Sequence, residues 1–358
     1  MKGESIIPYR SLDSRFRGND KEKRRNDFSW MLAFAFTATI VFTSCATTAS
    51  RPPTRAERVD ELLALGTNDY RKGDYRAALV RFDEAFETSV SVDYRKGAAD
   101  ALNNIATIRL RQGNQDEAFR NYEAALDIYR KIDNGDGVAT TLLNIGAVYS
   151  ARSDAEKANH YYQMALDTAK AKKLKTLEAK ALNNMGLLMK EQGELQKALE
   201  LYGQSLAINE REGNMAATAD NLNNLGTLAL TTGDADAAIE YFNRALEIDR
   251  KLEIPEAIAI DLFNIASASH TKGDYQSALD HYGRALAIFD VASNKPRVAE
   301  TLYRIGIVSE NAGDREKAFE SFKAAFEAAS AAGLDSLARQ AQSKLSELSS
   351  IGEMGTNP

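Results

Sequence analysis

The chain has 358 residues, 44% of them apolar and 27% charged, with six prolines. That balance excludes a disordered or collagen-like chain and fits a helix-rich globular body. It carries 45 Lys and Arg against 51 Asp and Glu, a net −6, and from residue 45 onward 37 against 46, a net −9. An acidic body without a basic stripe argues against nucleic acid as a partner. One cysteine excludes an intrachain disulfide. His160, His270 and His281 have no metal-ligand spacing, so no metal and no cofactor is expected.

The chain opens with an odd stretch. Residues 1–20 resemble translated dispersed repeat DNA, so true translation is expected near Lys21 or Met31. The basic run KEKRR at 21–25 is followed by an apolar segment from Phe28 to Phe42, then by Thr43, Ser44, Cys45 and Ala46. A positive segment, a short apolar core and small residues describe a secretory signal. The core falls short of the ~20 residues that span a bilayer. Its end, Phe42-Thr43-Ser44-Cys45, resembles the bacterial lipobox, although Phe42 stands where Leu is preferred. That resemblance implies lipidation of Cys45 and, with Ala46 rather than Asp next, an outer-membrane anchor facing the periplasm. Residues 1–45 are then signal, and 46–55 (ATTASRPPTR) a flexible tether.

From residue 56 the sequence repeats itself. A small residue recurs every forty positions, at Gly66, Ala106, Gly146, Gly186, Gly226, Ala266 and Gly306. Twelve residues later stand Ala78, Ala118, Ala158, Ala198, Ala238, Ala278 and Ala318. Seven beyond those stand Ala85, Ala125, Ala165, Ser205, Ala245, Ala285 and Ala325. A fixed step of this kind signals a repeat array. In the fifth copy Leu222, Leu225 and Ala229 share one helical face, Gly233-Asp234 breaks the helix, and Ala238, Phe242, Ala245 and Leu246 form a second apolar stripe. Asp234 is placed to cap the second helix. A glycine inside a helix costs about 1 kcal/mol, so its recurrence predicts close approach of the partner helix. Phe82, Tyr122, Tyr162, Tyr202, Phe242, Tyr282 and Phe322 recur in phase with the second stripe and are expected in the core.

The units Leu65-Gly66, Gly73-Asp74-Tyr75, Ala78, Phe82 and Ala85-Phe86 resemble the tetratricopeptide repeat. Its common period is about 34 residues; the forty found here is similar to the longer-repeat subclass of kinesin light chains. The resemblance implies an all-α, right-handed solenoid of seven helical hairpins over 56–350. Residues 335–349, with Leu337, Ala341 and Leu345 on one side, form a capping helix. A tail of 351–358 is expected to be disordered.

Two residues before the small position stand Asn104, Asn144, Asn184, Asn224 and Asn264, with Ala64 and Arg304 in the first and seventh places. They share an azimuth with polar and mostly small residues, Asp100, Thr107 and Arg111 in the second copy and Asp220, Thr227 and Thr231 in the fifth. In the resembled family this face lines the concave groove, and the matching asparagines contact the backbone of extended peptides. An amide offers donors and an acceptor. The same row also suits bracing between adjacent helices, and both readings stand at this point. Arg71, Arg111 and Arg304 are candidates for acidic groups of a guest.

No nucleophile elbow, phosphate loop, HExxH or dinucleotide fingerprint occurs, and no enzymatic activity is expected. The sequence points to a lipid-anchored scaffold holding protein or peptide partners during envelope assembly or secretion. A cytosolic regulator of a signalling peptide or kinase, with a misread start, is the alternative.

Overall fold

The computed structural model describes residues 53–354, all-α among the described residues, with fifteen helices and no strand. The signal segment, Cys45 and nearly all of the tether lie outside the described residues. The chain divides into two compact units, the first ending at Thr168 and the second beginning at Ala169.

The first unit contains α1 (Arg55–Arg71), α2 (Tyr75–Ser91), α3 (Arg95–Arg111), α4 (Gln115–Lys131), α5 (Gly135–Ala151) and most of α6 (Ala155–Ala171). The second contains α7 (Lys175–Glu191), α8 (Leu195–Arg211), α9 (Met215–Thr231), α10 (Ala235–Lys251), α11 (Pro255–Lys272), α12 (Tyr275–Val291), α13 (Lys295–Asn311), α14 (Arg315–Ala331) and α15 (Asp335–Met354). Odd-numbered helices through α13 open the seven hairpins and even-numbered ones close them.

Seventeen-residue helices joined by three-residue turns set the period. Every twentieth residue has a left-handed backbone, beginning Gly73, Asp93, Gly113, Asp133 and ending Gly313, Gly333. Inside the hairpins this residue is glycine in six of seven cases, Ser153 being the exception. Between hairpins Asp, Lys, Glu or Ser accepts the conformation five times in seven. At 229–234 the turn closes by Asp234 N–H to Ala229 O at 2.9 Å and Gly233 N–H to Leu230 O at 3.1 Å, satisfying carbonyls the helix leaves open. The Asp234 side chain then accepts from Ala237 N–H at 3.0 Å and starts α10. Asn134 caps α5 through Gly137 N–H, so Gly135 and Asp136 are helical, and Pro255 is the first residue of α11.

The helical glycines sit against the aromatics. A Cβ at Gly226 would lie 2.5 Å from the Phe242 ring, and one at Gly66 would lie 2.6 Å from Phe82. The seven in-phase aromatics are buried, at 0–4% exposure, and each large ring removed from water contributes roughly 1.5–3 kcal/mol. In the first unit they join clusters such as Ala78, Phe82, Ile105 and Ile108. In the second, one cluster runs from Ala238 through Phe263 to Val308. Helix α15 closes the array: Ala341 is fully buried, while Leu337 and Leu345 pack on the apolar residues of the seventh hairpin.

The asparagine row as a candidate binding face

All five row asparagines are half-buried on first helices of their hairpins. Three are tied to the preceding first helix. In the first unit Asn144 Nδ2 of α5 donates to Asn103 Oδ1 of α3 at 3.1 Å, and Thr141 Oγ1 donates to the same oxygen at 3.3 Å. In the second unit Asn224 and Asn221 of α9 both donate to Asn183 Oδ1 of α7, at 2.8 and 2.9 Å. One repeat on, Asn264 Nδ2 of α11 donates to Asn223 Oδ1 at 3.2 Å, while Asn223 Nδ2 donates to Asp261 Oδ1 at 2.7 Å. The partners are therefore 38 and 41 residues apart, one repeat less or plus a fraction of a turn. Asn104 and Asn184 have no such partner position: 41 residues earlier stand Leu63 and Leu143.

The clamps have an inward extension. Asn209 Nδ2 of α8 donates to Asn221 Oδ1 at 2.7 Å, and Ser205 Oγ reaches both that oxygen and Ala179 O. Buried amides paired in this way avoid the cost of an orphaned polar group. The sequence reading missed Asn103, Asn183 and Asn223, together with Thr141, Asn221 and Asp261. Their signal was present: where position 103, 183 or 223 is Asn, the residue 38 later is Thr, Asn or Asp, and where position 63 or 143 is Leu, it is Ala101 or Ala181.

Arg71, Arg111 and Arg304 are exposed. Arg111 Nε donates to the Tyr70 hydroxyl, and its guanidinium carbon lies 5.3 Å from the Tyr70 ring centroid; the phenol oxygen holds the guanidinium charge more firmly still. Arg304 lies near His270, whose Nε2 accepts from Asn311 Nδ2 at 2.8 Å. Burial, then Arg304, hold that imidazole below its ordinary range. His160 packs edge-on to Tyr161 and His281 bonds Ser277 O, on separate helices from His270.

Other residues of the polar stripe serve the core. The hydroxyls of Thr107 and Ser267 meet those of Tyr122 and Tyr282 at 2.9 and 2.8 Å. Burial pushes the Tyr122 phenol up to about 12, against the lowering effect of Thr107. Asp100 accepts from Tyr129 Oη at 2.6 Å and from Lys96 Nζ at 2.7 Å. In each unit the row amides remain half-exposed. Among the described residues no helix is long and apolar enough to cross a membrane.

The family model described as the tetratricopeptide repeat matches residues 97–171, 177–251 and 256–331. No curated protein matches the chain. Solved structures similar in fold include the signal transduction ATPase protein PH0952 with a tetratricopeptide repeat sensor, from Pyrococcus horikoshii (TM-score 0.65, 15% identity, 86% of this chain and 51% of that one). The Rap conjugation gene regulator of plasmid pLS20, solved with the Phr* peptide, is similar at TM-score 0.59 and 19% identity over 83% of this chain and 81% of that one. BtubC from P. vanneervenii is similar at 0.53 and 20% over 66% and 92%. With the forty-residue hairpins and their buried small and aromatic positions, these matches place the chain in the tetratricopeptide repeat family.

Proposed function

We propose that the chain is a protein–protein interaction scaffold whose first-helix face holds an extended segment of a partner. The observation that carries this reading is the half-exposed row Asn104, Asn144, Asn184, Asn224 and Asn264. In Asn144, Asn224 and Asn264 the clamp engages Nδ2, which leaves the Oδ1 acceptor for a guest backbone N–H. Asn104 and Asn184 offer whole amides. Each hydrogen bond is worth only ~1 kcal/mol net, so several are needed for micromolar binding. The similar Rap regulator was solved with a peptide, which supports a peptide-sized guest. Arg71, Arg111 and Arg304 would receive its acidic groups.

The test separates binding from bracing. Peptides selected on the immobilised chain from a displayed library of random linear peptides are titrated against Asn104→Ala/Asn184→Ala. Weaker binding at unchanged melting temperature supports the reading; unchanged binding rejects it.

A lipid anchor at Cys45 is favoured by one observation: the only cysteine of the chain directly follows the apolar segment and Thr43-Ser44. Acyl chains contribute about 0.8 kcal/mol per buried methylene, enough for stable attachment of the scaffold through the 46–55 tether, facing the periplasm. Envelope assembly or secretion would then be its setting. Cys45→Ser moves the protein from the membrane to the soluble fraction on this reading. Wild-type protein found wholly in the cytosol would instead select the regulator of a signalling peptide.

A further inference from the structure

The junction of the fifth and sixth hairpins repeats the geometry of the one before it with different chemistry. Between α8 and α9 the buried contact is an amide pair, Asn209 donating to Asn221 at 2.7 Å. Forty residues on, the same two places hold Asp249 of α10 and Asp261 of α11. Asp249 is 4% exposed and Asp261 fully buried. Asp261 Oδ1 accepts from Asn223, but its buried Oδ2 meets no N–H or O–H donor, and the side chain lies within interaction range of the Asp249 carboxyl. Two carboxylates bring only acceptors, and in contact away from water they cannot both ionise.

We propose that Asp249 and Asp261 share a single proton, and that its release is a switch that loosens the packing of hairpin six on hairpin five. The protonated member is Asp261, donating Oδ2–H to Asp249, so the acid pair makes a hydrogen bond between the same two places with the donor and acceptor exchanged relative to Asn209 and Asn221. Deprotonation leaves two buried anions in contact. The charged groups acting on Asp261 are Asp249 of α10 and Asp220 at the exposed edge of α9, both acids. Helix α12 packs the uncharged Tyr282, Ala285 and Phe289 into the same apolar cluster as Ala259 and Leu262, which flank Asp261 on α11. Burial first, then Asp249, push the Asp261 carboxyl up to about 7 from 3.8, which puts the release near neutrality. The sign follows: the folded state holds the proton, so this stabilisation is full below the ordinary carboxylate range and gone once the pH rises through about 7. Asn223, which bonds Asp261, also carries the clamp to Asn264, so the switch acts on the amide row whether or not that row binds a peptide.

Hydrogen exchange read by mass spectrometry on the full chain, from about pH 5.5 to 8.5 and corrected for intrinsic exchange, tests this. Protection in α10 and α11, relative to α8 and α9, is expected to fall up to about tenfold per pH unit from the acid side up to neutrality and to level off above it. In Asp249→Asn/Asp261→Asn that ratio is expected to be flat. A flat ratio in the wild type, or an unchanged slope in the double variant, overturns the proposal. Should the double variant not fold, infrared spectra of the unsubstituted chain decide. A protonated carboxyl band that titrates away near neutrality supports the shared proton; no such band on the acid side overturns it.

Discussion

Asn224 of α9 donates its side-chain N–H to Asn183 of α7 at 2.8 Å, across two successive first helices. Asn183 spends one carbonyl oxygen on two donors, Asn221 and Asn224. Removing the acceptor therefore strands two amides, whereas removing Asn224 strands none. Asn183→Ala is expected to cost about 1–3 kcal/mol and Asn224→Ala about 1 kcal/mol, measured by urea unfolding, with a double-mutant coupling that is positive and below the sum. Asn183→Leu/Asn209→Ala/Asn221→Ala copies the apolar set Leu143, Ala169 and Ala181 and is expected to recover part of the loss, since the buried partners are replaced together.

The glycines divide into two kinds with opposite responses to a methyl group. Gly226→Ala gains about 1 kcal/mol of helix propensity but forces a Cβ to within 2.5 Å of Phe242, and such overpacking costs about 1–3 kcal/mol. The net expectation is destabilisation, relieved when Phe242→Leu is added. Gly203 in α8 faces open space, so Gly203→Ala is expected to stabilise by about 0.5–1 kcal/mol. Thermal melts of the two single variants should move in opposite directions.

His270 reports on Arg304. Burial is the larger cause of its lowered pKa and Arg304 the smaller. A histidine held below its ordinary value binds fewer protons folded than unfolded. Stability tied to it is therefore present above the ordinary range and lost as pH falls through the folded value. Arg304→Ala is expected to raise the His270 midpoint partway toward normal, followed by NMR of its imidazole protons.

The repeat, its hairpins and the core aromatics were legible because each rests on local spacing: Gly226 to Phe242 is one hairpin, and helical periodicity alone aligns them. The close approach implied by the helical glycines has its physical partner in those rings. The clamps were harder to see. A single helix shows that Asn224 shares a face with Thr227, but not that the stacking register brings it to Asn183, 41 residues away. The polar stripe also read as uniformly available, whereas Thr107 and Ser267 are engaged by Tyr122 and Tyr282 from the second helix. Those partners lie fifteen residues on, in the stripe assigned to the core.

The scaffold reading stands or falls on residues that brace nothing. Asn144, Asn224 and Asn264 confound binding with stacking, because each also clamps its neighbour. Asn104 and Asn184 do not share that duty. The decisive measurement is the affinity of a library-selected linear peptide for the wild type and for Asn104→Ala/Asn184→Ala, with melting temperature in parallel. The account predicts an affinity loss of at least about fivefold, the equivalent of one hydrogen bond, with the melting temperature unchanged. Equal affinity in a folded double variant would contradict it.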